Sequence, residues 1–150
     1  MYNPRNLKKL TRNGEIVMSN VPSEILDHIL FINNAKYFGG DILINGLGLG
    51  VALFEILKST RINSVTVVEK SLDVISLVFP YIKDTRVSVI NADAFEWKPP
   101  KGYRYSTVWH DIWDDICSDN LPEMTRLHRK YAKRCMWQDS WCKSLCKRLR

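Results

Sequence analysis

The sequence predicts an α/β fold: a mostly parallel sheet with flanking helices. Three observations carry that prediction. Four short runs rich in β-branched and aromatic residues recur between positions 42 and 111, segments of helical spacing separate the first three, and the connections are short. Strands joined through crossover helices are covered on both faces, so they read as unbroken apolar runs rather than as alternating ones. At 150 residues with 45% hydrophobic content, the chain has the length of one domain and enough apolar side chains for a core.

In chain order, residues 1–14 are polar and expected to be loosely ordered up to Asn13-Gly14, a turn signal. Glu15–Ser19 reads as a short strand. A helix opens at Pro22-Ser23-Glu24, with Ser19 or Asn20 as its cap, and Ile25, Leu26, Ile29, Leu30 and Ile32 form its apolar face up to Gly39-Gly40. Ile42-Leu43-Ile44 is the first strand of the regular pattern. A glycine loop follows, then helical spacing over Val51–Lys58, a β-branched strand over Ser64–Glu69, and a second helix over Leu72–Ile82 that ends near Pro80. Val87–Ile90 and Tyr105–Asp111 are the third and fourth strands, Leu121–Cys135 is helical in composition, and Trp137–Leu149 is expected to continue as another helix. The chain is therefore one domain over 1–150: an N-terminal strand and helix segment (1–39), a core (40–115) and a basic helical C-terminal segment (116–150).

The net charge of +6 is unevenly placed, since residues 126–150 hold nine of the 22 Lys and Arg but only one of the 16 acids. Such a segment could meet nucleic acid phosphates, but the favoured reading is a solvated helix face whose cations suit the helix C-terminus. No apolar run is long enough to span a bilayer, and MYNPRNLKKLTRNGE lacks the apolar stretch of a secretion signal, so a cytoplasmic protein without membrane contact is expected. The four cysteines (117, 135, 142, 146) are too sparse for a disulfide framework, and Cys142-x3-Cys146 lacks the spacing of a zinc site; no metal is expected.

Asn45-Gly46-Leu47-Gly48-Leu49-Gly50 lies directly between the first strand and its helix, where glycines permit a tight turn and close approach of a ligand beside a helix N-terminus. Glu69 closes the second strand 19 residues after Gly50, where a carboxylate can accept bonds from both hydroxyls of a ribose. Asp93-Ala94 follows the third strand, where an acid can take an adenine amino group and a backbone N–H can face a ring nitrogen. Ligands of such sheets bind outside the carboxyl ends of the strands. The G-x-G-x-x-G form preferred by NAD would need glycine where Val51 stands. In His110-Asp111-Ile112-Trp113-Asp114-Asp115, Asp111 is the first candidate for orienting or deprotonating an amine and Asp114 the second. Trp109 or Trp113 would wall the pocket, His110 points away from it, and Asp114-Asp115 also reads as a helix N-terminal acid pair.

INGLGLG, VTVVEKSLDVI, DTRVSVINADAFEW and YSTVWHDIW resemble the successive motifs of class I S-adenosylmethionine-dependent methyltransferases, nearest to the spermidine-synthase-like branch and to short methyltransferase-like proteins of phage. The resemblance covers roughly residues 40–115 and implies a Rossmann-like fold. It implies that Asn45, Gly46, Leu47, Gly48, Gly50, Glu69, Lys70, Asp93, Ala94 and Asp111 bind S-adenosylmethionine, with decarboxylated S-adenosylmethionine as the alternative. The implied activity is methyl transfer to a small amine or similar acceptor, served by Asp111 and Asp114. The implied alternatives are aminopropyl transfer, or non-catalytic binding with the basic tail on nucleic acid or protein. The family commonly has an acid where Ile44 stands, which the spermidine-synthase-like branch also lacks. A full domain of the family has further strands after the fourth, so this chain is expected to be truncated, with the open side of its fourth strand covered by the C-terminal segment or by a second copy in a homo-oligomer, a dimer.

Overall fold

The structure is a computed structural model that describes residues 9–19 and 22–150. Its sheet has five strands, β3 (Gly40–Asn45), β4 (Ile62–Glu69), β5 (Val87–Asn91), β6 (Tyr105–His110) and β7 (Cys135–Ser140), in the order β5-β4-β3-β6-β7. Every neighbouring pair is parallel. β3 is central and buried along its last four residues, which is why it carries an apolar run with no polar alternation. Ahead of the sheet lie a hairpin, β1 (Lys9–Arg12) and β2 (Glu15–Ser19), and two helices, α1 (Pro22–Asp27) and α2 (Ile29–Phe38).

Side chains leave β3 alternately. Ile42 and Ile44 join a cluster with Phe31, Leu53, Ile56 and Trp109, which covers one face with α2, α3 (Val51–Ile56) and α4 (Leu72–Val78). Leu43 joins Val68, Val108, Leu127 and Tyr131, which closes the other face with α5 (Asn120–Tyr131). Trp109 is held between Phe31 (centroids 5.3 Å apart, 8° between planes) and Trp137 (6.4 Å, 10°). The N-terminal end of the sheet is tied by Arg86, whose guanidinium donates to the carbonyls of Leu57, Ser59 and Ile62 and to Asp84. Asp84 is thereby held down to about 2, by its hydrogen bonds with Arg86 before all else. The D-x-R-V run is thus a brace at the end of the strands opposite the glycine loop.

Three sequence expectations are corrected, and one lies outside what is described. Lys9–Arg12 pairs with β2 across the Asn13-Gly14 turn instead of being loose. Neither candidate cap, Ser19 or Asn20, has a described side chain. The first helical segment breaks at His28, and the residues facing the sheet are His28, Phe31, Ile32 and Ala35; Leu26, Ile29 and Leu30 face solvent because the stripe that meets Trp109 fixes the rotation of α2. The segment after α5 is not all helix: Cys135–Ser140 is a strand along β6, and only Lys143–Arg148 (α6) is helical. β6 therefore has no open side, and the outer edge on that side belongs to β7. That removes the exposed fourth strand as a reason to expect a second copy. No helix among the described residues is long and apolar enough to cross a membrane.

Candidate functional site

The site is built where β3 and β6 end side by side. The carbonyl of Asn45 accepts from Asp111 N (2.8 Å), and the next amide, Gly46 N, donates to Val68 O (2.8 Å), so the loop leaves β3 bound to both neighbours. Gly46 has φ +101°, and a Cβ there would lie 1.9 Å from the Asp111 carbonyl. Only glycine permits that approach of backbone to backbone. Gly50, at φ +75°, precedes α3 with its Cα hydrogens against the Phe54 ring.

Glu69 closes β4 with both carboxylate oxygens fixed by main chain: Oε1 accepts from Leu47 N and Oε2 from Ser71 N, each at 2.9 Å. Each oxygen keeps lone-pair capacity for a further donor. Ser71 also caps α4, its hydroxyl accepting from Val74 N. After β5, Asp93 turns the chain by accepting from Phe95 N (2.9 Å), while its other oxygen lies 3.4 Å from Lys70 Nζ. That turn is braced from behind by α5. Lys130 Nζ donates to the carbonyls of Ala94, Phe95 and Trp97, and Arg126 lies over the Phe95 ring. Burial lowers the Lys130 pKa, and the three carbonyls solvate its ammonium. This lysine belongs to the basic segment read as a solvated face, yet it works inside the fold.

Gly46, Gly48, Glu69, Lys70, Asp93 and Ala94 together line a cavity of about 470 Å³, and Asp111 and Asp114 close its far side. The structure thus brings eight of the eleven sequence-predicted residues into one hollow. The other three stand beneath it. Asn45 is fully buried, with Nδ2 on His110 Nδ1 (3.0 Å); the Leu47 side chain is core; and Gly50 shapes the start of α3. Trp113 walls the cavity with its indole N–H on Glu123 Oε2 (2.7 Å), whereas Trp109 is in the core. His110 points away as expected, donating from Nε2 to Gln138 Oε1, and burial lowers its pKa to about 3. Asp115 lies in the loop before α5 and caps no helix. Among the described residues no three His, Cys, Asp or Glu side chains group as metal ligands.

Asp111 is the unusual group. Its side chain is only 8% exposed, and burial foremost, then the charges of Glu69, Glu24, Asp27 and Asp114, raises its pKa to about 8. A carboxyl so placed favours its neutral form at pH 7. Behind it stands His28, 1% exposed, with Nε2 3.9 Å from Asp111 Oδ2; burial lowers its pKa to about 4. Sequence reasoning missed His28, Ser71, Glu123 and Lys130. Only Ser71, a capping serine just after Glu69, carried a local signal.

Comparison with protein-family models gives no match, and neither does comparison with curated proteins. Solved structures do match. Thermoplasma acidophilum 1320 is similar over 84% of this chain and 66% of its own (TM-score 0.59, 20% identity). The N-methyltransferase NodS from Bradyrhizobium japonicum WM9 is similar over 73% and 60% (0.57, 10%). The plantazolicin methyltransferase BpumL, solved in complex with SAH, is similar over 73% and 44% (0.51, 14%). The chain has the Rossmann-like methyltransferase fold. It spans between 44% and 66% of the length of these three structures, and at 10–20% identity the likeness is one of fold.

Proposed function

We propose that the protein binds S-adenosylmethionine in the cavity at the strand ends and transfers its methyl group to a small amine or similar acceptor. The observation that carries this reading is the doubly anchored Glu69 carboxylate, which lines a 470 Å³ hollow together with Asp93, Ala94, Gly46 and Gly48. That volume falls within the range of about 300–1,000 Å³ typical of small-ligand sites. The residues fit an adenosyl group: Glu69 for the ribose hydroxyls, Asp93 for the adenine amine, and Val68, Val74 and Phe95 for the faces of the base. The sulfonium supplies an activated methyl, so the protein's part is to align the acceptor and to take its proton. Asp111 and Asp114 stand at the far side for that purpose. A carboxyl that favours its neutral form, once ionised by a bound cation, is a competent proton acceptor.

One feature favours a second reading, aminopropyl transfer from decarboxylated S-adenosylmethionine. The charged groups that bear on Asp111 are all acids, so a ligand carboxylate there is repelled and its removal is favoured. Calorimetry with S-adenosylmethionine, decarboxylated S-adenosylmethionine and adenosine ranks the two. Tightest binding of the decarboxylated ligand establishes the second reading, and no binding of any adenosyl ligand refutes both. Release of the demethylated nucleoside in the presence of amines then tests catalysis.

A further inference from the structure

Asp111 is the wall between two spaces. One side faces the large cavity, and the other faces a closed pocket of about 10 Å³ lined by His28, Gly46 and Leu47, with room for at most one water. His28 reaches that pocket rigidly. Trp109 Nε1 donates to its Nδ1 at 3.1 Å, and Trp109 is itself clamped between two aromatic rings. An indole N–H is only a donor, so Nδ1 of the neutral imidazole must be the acceptor and the proton sits on Nε2. That Nε2–H is buried, has no hydrogen-bond partner, and faces Asp111 Oδ2 across 3.9 Å. A donor without an acceptor costs free energy in this position, and the one group it faces accepts fully only when ionised.

We propose that His28 and Asp111 form a pair that exchanges a proton for an incoming cation: as a cationic ligand enters the cavity Asp111 releases its proton to solvent, and the His28 Nε2–H closes onto the new carboxylate. This rests on the reading of the cavity as a site for a sulfonium nucleoside and adds how its charge is received. His28 is a positioning residue; it touches no ligand. The groups facing Asp111 are His28 at the α1–α2 break, Glu24 and Asp27 on α1, Glu69 at the end of β4, Asp114 in the following loop and Cys142 ahead of α6. The acids oppose ionisation, His28 is neutral, and the Cys142 thiol, pushed up to about 12 by burial before the nearby acids, carries no charge at pH 7. An arriving cation and the Nε2–H are what favour it. The gap closes by about 1 Å, from 3.9 Å to the length of a charge-assisted bond.

Two measurements test this on the whole protein. In the ligand-free state, the side-chain carboxyl of Asp111 is titrated by carbon-13 NMR in the native protein, His28→Asn and His28→Gln. Asparagine keeps an acceptor for Trp109 but loses the Nε2–H, whereas glutamine carries an N–H to the Nε2 position. The midpoint should rise by about one pH unit in His28→Asn and return towards the native value in His28→Gln. Identical midpoints in all three overturn the pairing; if His28→Asn does not fold, the His28 Nε2–H proton resonance of the native protein, followed through the Asp111 midpoint, decides it, a downfield shift as Asp111 ionises being expected and an unmoved resonance overturning the pairing. The second measurement is calorimetry at pH 7 in buffers of different ionisation enthalpy. Binding of S-adenosylmethionine should release about one proton, and adenosine, or S-adenosylmethionine with Asp111→Asn, about none. Binding of S-adenosylmethionine without proton release overturns the exchange. Failure of every adenosyl ligand to bind would instead refute the proposed function, and the ligand-free titrations would still decide the pair.

Discussion

Replacing Glu69 by Gln changes one oxygen to an amide nitrogen and leaves the shape of the site intact. In the native chain each carboxylate oxygen already accepts one backbone N–H at 2.9 Å, from Leu47 and from Ser71, and offers its remaining lone pair to a ligand. A glutamine can keep only one of these bonds, because its nitrogen placed against either amide sets donor against donor. The oxygen that stays on Leu47 accepts one ribose hydroxyl; the nitrogen accepts none. The loss is one charge-assisted hydrogen bond to the ligand, about 1.5–3 kcal/mol, or roughly 10- to 150-fold in Kd. Quenching of Trp113, which lines the cavity, reports binding. The test becomes sharp as a cycle with adenosine and an analogue lacking both ribose hydroxyls. The analogue should bind the native protein and the variant nearly alike, and the coupling between residue and hydroxyls should reach about 1.5 kcal/mol or more. A coupling below about 0.5 kcal/mol, the usual error of additivity, refutes the ribose role of Glu69.

Gly46→Ala forces a Cβ to within 1.9 Å of the Asp111 carbonyl at φ +101°, and should cost at least about 3 kcal/mol in urea unfolding, since the clash is with backbone. Arg86→Ala leaves the carbonyls of Leu57, Ser59 and Ile62 without their donor and should lower stability by about 2 kcal/mol, with adenosine affinity unchanged because it braces the other end of the strands. Stability should also peak near pH 6.5. Below it the unfolded chain protonates His28, His110 and His128, while the fold holds the first two neutral to about 4 and about 3 and burial lowers His128 as well, which outweighs the one proton that folded Asp111 retains. The net gain of at least about one proton on unfolding makes stability fall by at least about 1.4 kcal/mol per pH unit on acidification. Between about pH 6.5 and 8 Asp111 dominates: the fold keeps a proton the unfolded chain has lost, so stability declines, and Asp111→Asn should remove the decline over that interval in denaturant titrations, leaving the further decline near pH 9 that the raised Cys142 thiol produces.

How much of this was legible in the sequence depended on whether the signal was local. Glu69, Asp93 and Asp111 stand at strand ends, and strand ends could be read from β-branched runs that stop at polar residues. The glycine loop was legible for a reason only partly right: Gly46 is required by the Asp111 backbone, not only by a ligand. β7 was misread because Cys135–Ser140 mixes Met136, Trp137, Gln138 and Asp139 with no β-branched residue, so its strand character comes from pairing with β6. His28 was invisible because two apolar stripes run along its helical segment. Phe31 and Ala35, rather than Leu26 and Leu30, meet the sheet only once Trp109 is in place. Lys130 has no local mark either; its three carbonyls lie more than 30 residues away in the chain.

The placement of stabilising and costly groups divides the molecule along its strands. At the N-terminal end Arg86 and Asp84 satisfy one another, and Arg86 satisfies three carbonyls, so these groups find their answer within the fold. At the C-terminal end Asp111 is buried among carboxylates, and the neutral His28 faces it with an Nε2–H that lacks a partner. A fold with Arg86 at one end of the sheet could place a cation at the other, and a cation beside Asp111 would stabilise the ligand-free state. It would also occupy the position the ligand must take, and remove the differential affinity by which a cation is bound. A buried acid that burial keeps from ionising, as Asp111 is, stores a cost that an incoming positive group relieves, and by linkage that relief becomes binding free energy. The same chain with a lysine at Asp114 should therefore be more stable when empty and bind a cationic nucleoside more weakly, while its affinity for uncharged adenosine stays the same.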